Sequence, residues 1–240
     1  MRPRRRFPRF APLLALVVLV GAGCWGSGDL LTDVRQKFHG VVPPPVAPPP
    51  PPGSPTGVVR LLQWCWEHKN VEHYRKIFTE DFRYPCVPAD SAGNLYRNPP
   101  WGRDNELAFA QNLFVTGTAT EPPAASIVFD FYGDLTPARD FRDGKIYPWH
   151  QTIQTNFTLT VNRADGSAYR IAGLDYFFIV RGDSAAIPPD LVAQGAQPDS
   201  AVWYIERWED QTGVGGFAAV PAQPLPTRKA TLCMLKVLYQ

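Results

Sequence analysis

The sequence predicts an α+β domain in which helices gather on one side of a strongly curved antiparallel sheet, preceded by a signal peptide and a proline-rich stalk. Three observations predict it. Between Ser54 and Phe114 the apolar residues recur three and four apart, which lays them along single helix faces. From Ser126 to Asp210 the period changes to two, in long runs rich in Val, Ile, Phe, Tyr and Thr. Asp165-Gly166 then joins two of those runs as a hairpin turn.

The 240 residues are 45% hydrophobic and 19% charged, the composition of a globular chain about the size of one domain with appendages. MRPRRRFPRF is a strongly positive leader, and APLLALVVLVGAG is an apolar stretch ending in small residues, too short to span a bilayer as a mature helix. Gly21-Ala22-Gly23-Cys24 resembles the lipobox of bacterial lipoproteins, with glycine at the first position where an aliphatic residue is usual. The resemblance implies cleavage before Cys24 and acylation of that cysteine with diacylglycerol and an amide-linked fatty acid. Several acyl chains give stable membrane residence where one gives only marginal binding. Residues 1–23 are therefore expected to be a signal peptide. Residues 24–55 form a lipidated tether and linker, and residues 56–240 the folded domain.

Removing Arg2, Arg4, Arg5, Arg6 and Arg9 takes the formal charge from +2 to about −3, so no nucleic-acid footprint is left. Within the tether, residues 30–38 are weakly amphipathic and are expected to form a turn or two of helix. The run VVPPPVAPPPPPGSP, residues 41–55, favours polyproline II, a semi-rigid spacer of roughly 45 Å. The expected location is the bacterial cell envelope, on the periplasmic or outer surface side of a membrane.

Ser54 followed by Pro55 starts a helix whose inner face carries Val58, Leu61, Leu62, Cys65 and Trp66. Asn70 caps a second helix burying Val71, Tyr74, Ile77 and Phe78. Phe82, Tyr84 and Cys86 alternate in a short strand that Pro85 and Pro88 confine to a sheet edge. Asp104 and Glu106 occupy the first turn of a helix buried through Leu107, Ala110, Leu113 and Phe114, where negative charge suits the macrodipole. SIVFDFY is a strand, and residues 133–145 a long polar loop. In residues 151–161, Ile153, Phe157, Leu159 and Val161 face one way and Thr and Gln residues the other. In the returning strand, Tyr169 and Ile171 keep one parity and Leu174, Tyr176, Phe178 and Val180 the other. A bulge at Ala172-Gly173 is expected to resolve the slip. AVWYIERWEDQ is a central strand with Trp203 and Ile205 on one face and Tyr204, Glu206 and Trp208 on the other, and residues 230–240 close the domain.

SPTGVVRLLQWCWEHKNVEHYRKIFTEDFRY, WGRDNELAFAQNLF and VWYIERWED resemble the SnoaL-like branch of the NTF2-like superfamily. The resemblance covers residues 55–240 and rests on packing patterns, so it implies a fold and no particular reaction. That fold is the NTF2-like, cystatin-like cone, whose sheet and helices enclose a pocket. Members use it for isomerisation, cyclisation, dehydration or plain ligand and partner binding, and an exposed sheet face often implies a homodimer.

The residues themselves offer weak catalytic candidates. Glu206 and Tyr204 on the central strand, and Asp175 between Leu174 and Tyr176, are carboxylate and phenol groups among large apolar side chains. Desolvation there would raise a carboxylate's pKa into a range useful for general acid/base work. His150 begins a strand and can reach a pocket mouth. Cys65, His68, His73 and Cys86 have the residue types of a zinc site, but Cys65 lies on an apolar helix face, so neither metal nor cofactor is expected. Cys65, Cys86 and Cys233 allow one disulfide whose pairing the sequence leaves open. No phosphate-binding glycine loop, nucleophile elbow or HExxH occurs. The favoured expectation is a membrane-tethered, non-catalytic binding or scaffolding module for a hydrophobic small molecule or an envelope partner. The alternative is a SnoaL-like enzyme working by general acid/base chemistry on a hydrophobic carbonyl compound.

Mass spectrometry of the mature N-terminus tests the anchor. An acylated Cys24 is expected, and Cys24→Ala should leave the chain unacylated; a mature chain starting elsewhere overturns the reading.

Overall fold

The computed structural model describes residues 47–88, 90–96, 98–212 and 227–240. The signal peptide, Cys24, the amphipathic piece at residues 30–38 and the first half of the proline run lie outside the described residues. The compact unit described here runs from Pro48 to Gln240. Its start is already part of the fold, because the Pro52 carbonyl accepts a 2.9 Å hydrogen bond from the Trp203 N–H. Among the described residues no helix is long and apolar enough to cross a membrane.

Helix α1 spans Pro55–Glu67, with the Ser54 side chain accepting from the Gly57 N–H and proline at the first helical position. It ends where Lys69 takes a left-handed φ of 52°, with Asn70 N–H bonded to the Cys65 carbonyl and Lys69 N–H to that of Trp66. Helix α2 is a single turn, Val71–Tyr74, capped by Asn70. It is shorter than the periodicity predicts, because Ile77 leads into strand β1, Phe78–Tyr84, and Phe78 belongs to it. Strand β2 is Trp101–Gly102, and helix α3, Arg103–Gln111, runs on into a π-helical turn, Asn112–Thr116. Strands β3, Ser126–Tyr132, β4, Ala138–Arg139, β5, His150–Asn162, and β6, Ala168–Arg181, follow. A short helix α4, Pro189–Ala193, precedes β7, Trp203–Asp210. Strand β8, Thr227–Lys229, and helix α5, Leu232–Leu238, complete the described chain.

The architecture is the α+β layout expected, with a curved sheet and few helices. The strands order as β2-β1-β7-β6-β5-β3, with β4 added to β5 and β8 to β6. Two details differ from expectation. The sheet is mixed, because β1 runs parallel to β7 and β8 parallel to β6. And β1 is not an edge, since the two-residue β2 covers its outer side; Pro85 falls just beyond its last residue, so no ladder bond is lost.

The bulge also lies elsewhere. Pairing of β5 with β6 is unbroken from His150↔Val180 to Asn162↔Ala168, so Ala172-Gly173 carries no slip. The irregularity is between Phe178 and Ile179 on β6, opposite Glu206, the extra residue of β7. Consequently Ile171, Asp175, Phe177 and Ile179 all face the helices, while Leu174, Tyr176 and Phe178 are half-buried on the outer side. Gly173 stands in the inward row because a Cβ there would meet Thr212 Cγ2 at 2.5 Å.

The core lies between α1, α3, α5 and the inward sheet face. Trp66 is its hub, with ring centroids 5.4 Å from Phe129, 5.6 Å from Phe114, 5.7 Å from Phe109 and 6.2 Å from Trp208. A smaller cluster of Val180, Leu191 and Tyr204 packs on the opposite face under α4. Cys86 and Cys233 form a disulfide with Cα atoms 5.8 Å apart, clipping α5 to the segment after β1, and Cys65 is a buried free thiol pushed up to about 12 by burial. Gly93 packs against the disulfide so closely that a Cβ would fall 2.2 Å from that of Cys86.

A crosslink spanning 147 positions restricts the unfolded chain strongly. Reduction, or Cys86→Ser, is expected to lower stability by about 2–5 kcal/mol in chemical denaturation, and an unchanged midpoint would contradict the pairing.

Candidate functional site

The inward row of β6 and β7 brings two carboxyl groups together. Asp175 and Asp210 are register partners on adjacent strands and both are buried. Asp210 is satisfied: it accepts from the Thr212 N–H at 2.8 Å, from the Thr212 hydroxyl, and from the Tyr84 hydroxyl at 3.3 Å. The close approach of Thr212 is what Gly173 permits. Asp175 is different. Neither of its oxygens completes a hydrogen bond of good geometry, the Trp208 indole N–H lying near enough to act on the carboxyl without closing one. Burial is the largest influence on both groups, holding Asp175 well above the usual carboxylate range and Asp210 at about 6. The charge of Asp210 adds to the rise at Asp175, while Trp208 and Lys236 partly offset it.

Opposite this pair sits a fully buried ion pair. Glu106, on α3, and Lys236, on α5, both have no exposed side-chain surface. Lys236 Nζ donates to both Glu106 oxygens at 2.5 Å. Glu106 also accepts from the Tyr74 hydroxyl at 2.5 Å and from Trp101 Nε1 at 2.8 Å. The Lys236 ammonium is ringed by aromatic faces, 4.2 Å from the Tyr84 centroid, 4.6 Å from Trp208, 4.8 Å from Phe109 and 5.6 Å from Trp101. Burial lowers the Lys236 pKa, and Glu106, Asp175 and Asp210 oppose that.

The local sequence explains the placement. Thr231 caps α5 by accepting from the Met234 N–H, which sets Leu232, Lys236 and Tyr239 along one face at spacings of four and three. Leu232 and Tyr239 are fully buried, and the lysine between them goes in with them. Tyr239 is anchored at both ends, its hydroxyl donating to the Pro122 carbonyl and its own carbonyl accepting from Asn112 Nδ2.

Of the residues singled out from the sequence, Asp175 alone reaches this interior. The bulge at Glu206 turns that side chain outward, where it pairs with Arg142 at 3.0 Å and with Lys145. Arg142 also binds Asp140 and stacks 4.1 Å over Phe178, so Glu206 belongs to a polar clamp holding residues 140–145 on the outer sheet face. Tyr204 does not share a face with Trp208 as expected, because the same bulge separates them. It lies in the outer cluster, where burial raises its pKa. His150 is half-buried at the start of β5, its ring against the Ile146 backbone. His68 stacks on Trp64 at 4.4 Å and His73 interacts with the Asn70 cap. Among the described residues no group of three or more His, Cys, Asp or Glu is placed to hold a metal.

Asp210, Glu106 and Lys236 are the interior residues that periodicity did not select. Glu106 reads as a helix-start charge, and Lys236 as a surface lysine on a short amphipathic segment.

No protein-family model matches the chain, and no curated protein matches it by sequence. Among solved structures it is similar to an NTF2-like superfamily protein from Salmonella enterica serovar Typhimurium, at 15% identity over 68% of this chain and 94% of that one, with a TM-score of 0.39. It is also similar to an NTF2-like protein with a cystatin-like fold from Novosphingobium aromaticivorans, at 13% identity over 67% and 80% of the two chains, TM-score 0.39. A third is the hexachlorocyclohexane dehydrochlorinase of LinA type 3 from Novosphingobium barchaimii, at 9% identity over 69% and 90%, TM-score 0.40.

The raised carboxyl pKa values make stability depend on pH. An unfolded aspartate titrates near 3.9, so the folded protein holds more protons from about pH 4 upward, and stability falls as pH rises through about 6. Asp175→Asn removes one of the two groups without breaking any hydrogen bond. It is expected to flatten this fall and to raise the melting temperature at pH 7.5 by a few degrees. A lowered melting temperature at pH 7.5 would contradict a buried Asp175 whose pKa is raised by desolvation.

Proposed function

We propose that this chain is a membrane-anchored envelope lipoprotein whose domain acts as a non-catalytic binding or scaffolding module. One observation carries the reading: Asp175, Asp210 and Glu106 are sealed inside the fold, and the chain's own Lys236 fills the space before them. A general acid or base must lie within hydrogen-bond reach of the proton it moves, directly or through one water. A carboxyl group with no exposed surface, closed in by Trp208 and Lys236, does not meet a substrate in this state. The lipobox-like Gly21-Ala22-Gly23-Cys24 and the proline run supply the tether, and a tethered module whose interior carboxyl groups are sealed suits holding or presenting a ligand or envelope partner.

A second reading has a specific observation behind it. The bare carboxyl of Asp175 beside the Tyr84–Asp210 hydrogen bond is the kind of group that enolisation or dehydration employs. Hydrogen–deuterium exchange at the α-carbon of hydrophobic ketones, followed by NMR in D2O, separates the two. Exchange at the buffer rate is expected for the full chain. Catalysed exchange that Asp175→Asn abolishes, with folding intact, would establish the enzyme and overturn the module.

A further inference from the structure

We propose that the segment between β4 and β5, through Phe141, Ile146 and Tyr147, is a membrane-docking surface that lays one end of the domain on a phospholipid bilayer. The proposal names a partner for the module and rests on the reading of the chain as membrane-anchored.

The polarity of this segment is reversed. Its charged groups turn onto the sheet: the Asp140 side chain has no exposed surface, and Arg142 and Lys145 both pair with Glu206 on β7. Its large apolar groups turn to solvent, with Phe141 83% exposed, Ile146 61% and Tyr147 57%. A single exposed apolar side chain needs no explanation, but these three fall within seven positions and are held there. The Arg142 N–H donates to the Asp140 carboxylate, the Lys145 N–H to the Arg142 carbonyl and the His150 N–H to the Ile146 carbonyl. Docking therefore has little left to order. An aliphatic side chain beside two rings, one bearing a hydroxyl, has the composition of an interfacial anchor, apolar at one end and wet at the other. The exposed Arg139 lies 5.6 Å from the Phe141 ring, within reach of a lipid phosphate when that ring is inserted. Asp134 and Asp143 are exposed too, so the apolar groups carry the contact and net charge does not.

Register puts this surface at the end of the domain where the tether joins it. His150, which opens β5, pairs with Val180 near the end of β6, and Val180 with Tyr204 near the start of β7. Beside Tyr204, the Trp203 N–H donates to the Pro52 carbonyl. The chain that follows Cys24 thus reaches the sheet at the end from which residues 140–147 lead into β5. Pro49, Pro50 and Pro52 are half-buried, so the tail of the proline run belongs to the domain and not to the spacer. The opposite end, at the Asp165-Gly166 hairpin, exposes only small and polar residues in its turn. A tether makes a second membrane contact intramolecular, so an apolar surface too small to hold a free protein suffices. The bilayer is the one partner that such a tether brings to this end; a soluble protein gains nothing from it.

The test reconstitutes the full chain into vesicles of phosphatidylethanolamine and phosphatidylglycerol, with and without a lipid carrying a nitroxide on its acyl chain. Asp143→Cys places a polarity-sensitive, thiol-reactive fluorophore on the segment without replacing an apolar residue, and Ala164→Cys places it in the hairpin at the opposite end. Cys65 is buried and Cys86 and Cys233 are bonded, so neither competes for the label. Peptide mass spectrometry confirms the labelled position and reads the state of Cys24. Expected are a blue shift and nitroxide quenching at position 143, neither at position 164, and loss of both at 143 in the Phe141→Ser/Ile146→Ser/Tyr147→Ser chain. Those side chains are exposed, so this chain should melt with its parent; if it does not, Phe141→Ser alone takes its place. An acylated, vesicle-bound chain with no quenching at 143, or with equal quenching at 143 and 164, overturns the docking surface and leaves the anchor standing. An unacylated chain quenched at 143 alone overturns the lipid anchor and leaves the docking surface standing. A probe at 143 that lipid does not quench, but that crosslinks to a protein in native membranes, overturns the proposal in favour of a protein partner.

Discussion

The fold depends on keeping the Glu106–Lys236 pair fully matched. Two opposite charges without exposed surface are tolerated only when every remaining lone pair and proton finds a partner, and removing one partner alone costs about 3–5 kcal/mol. Glu106 has its partners from three elements: Tyr74 from α2, Trp101 from β2 and Lys236 from α5. Each fixes an element that sequence propensity alone holds weakly. A one-turn helix, a two-residue strand and a seven-residue helix are all marginal by themselves, and their common attachment to one carboxylate ties them to α3. The disulfide acts in the same place, clipping α5 to the chain that leaves β1.

Two backbone features decide what the pair faces. The bulge at Glu206 reverses the side-chain parity of β7, so that Trp203 and Ile205 before it and Trp208 and Asp210 after it all point inward. In an unbulged strand continuing from Trp203 and Ile205, Arg207 and Glu209 would point into the core and Trp208 and Asp210 out of it. Gly173 then lets Thr212 come close enough to satisfy Asp210, which leaves Asp175 as the carboxyl group without a hydrogen bond. The interior chemistry is thus a product of register.

The two faces of the sheet consequently have different work. Outside, Asp140, Arg142, Lys145 and Glu206 make a clamp with solvent contact, which fixes the loop between β4 and β5. Inside, charge is held at low dielectric, where each group feels its neighbours strongly and the carboxyl pKa values rise.

The sequence by itself determined the order of elements, the N-caps at Ser54 and Asn70, the clean alternation in residues 151–161 and the Asp165-Gly166 hairpin. These are set by interactions within a few residues, which local spacing records. It also placed Asp175 among large apolar side chains. The tertiary structure decided the rest. The parity of β7 depends on a bulge that only pairing with β6 reveals, so Glu206 and Tyr204 looked like interior candidates and are not. The pairing of Cys86 with Cys233, and of Glu106 with Lys236, joins residues 147 and 130 positions apart. No local pattern encodes such a partner. A lysine between Leu235 and Val237 reads as a solvated charge until the fold shows four rings and a carboxylate waiting for it.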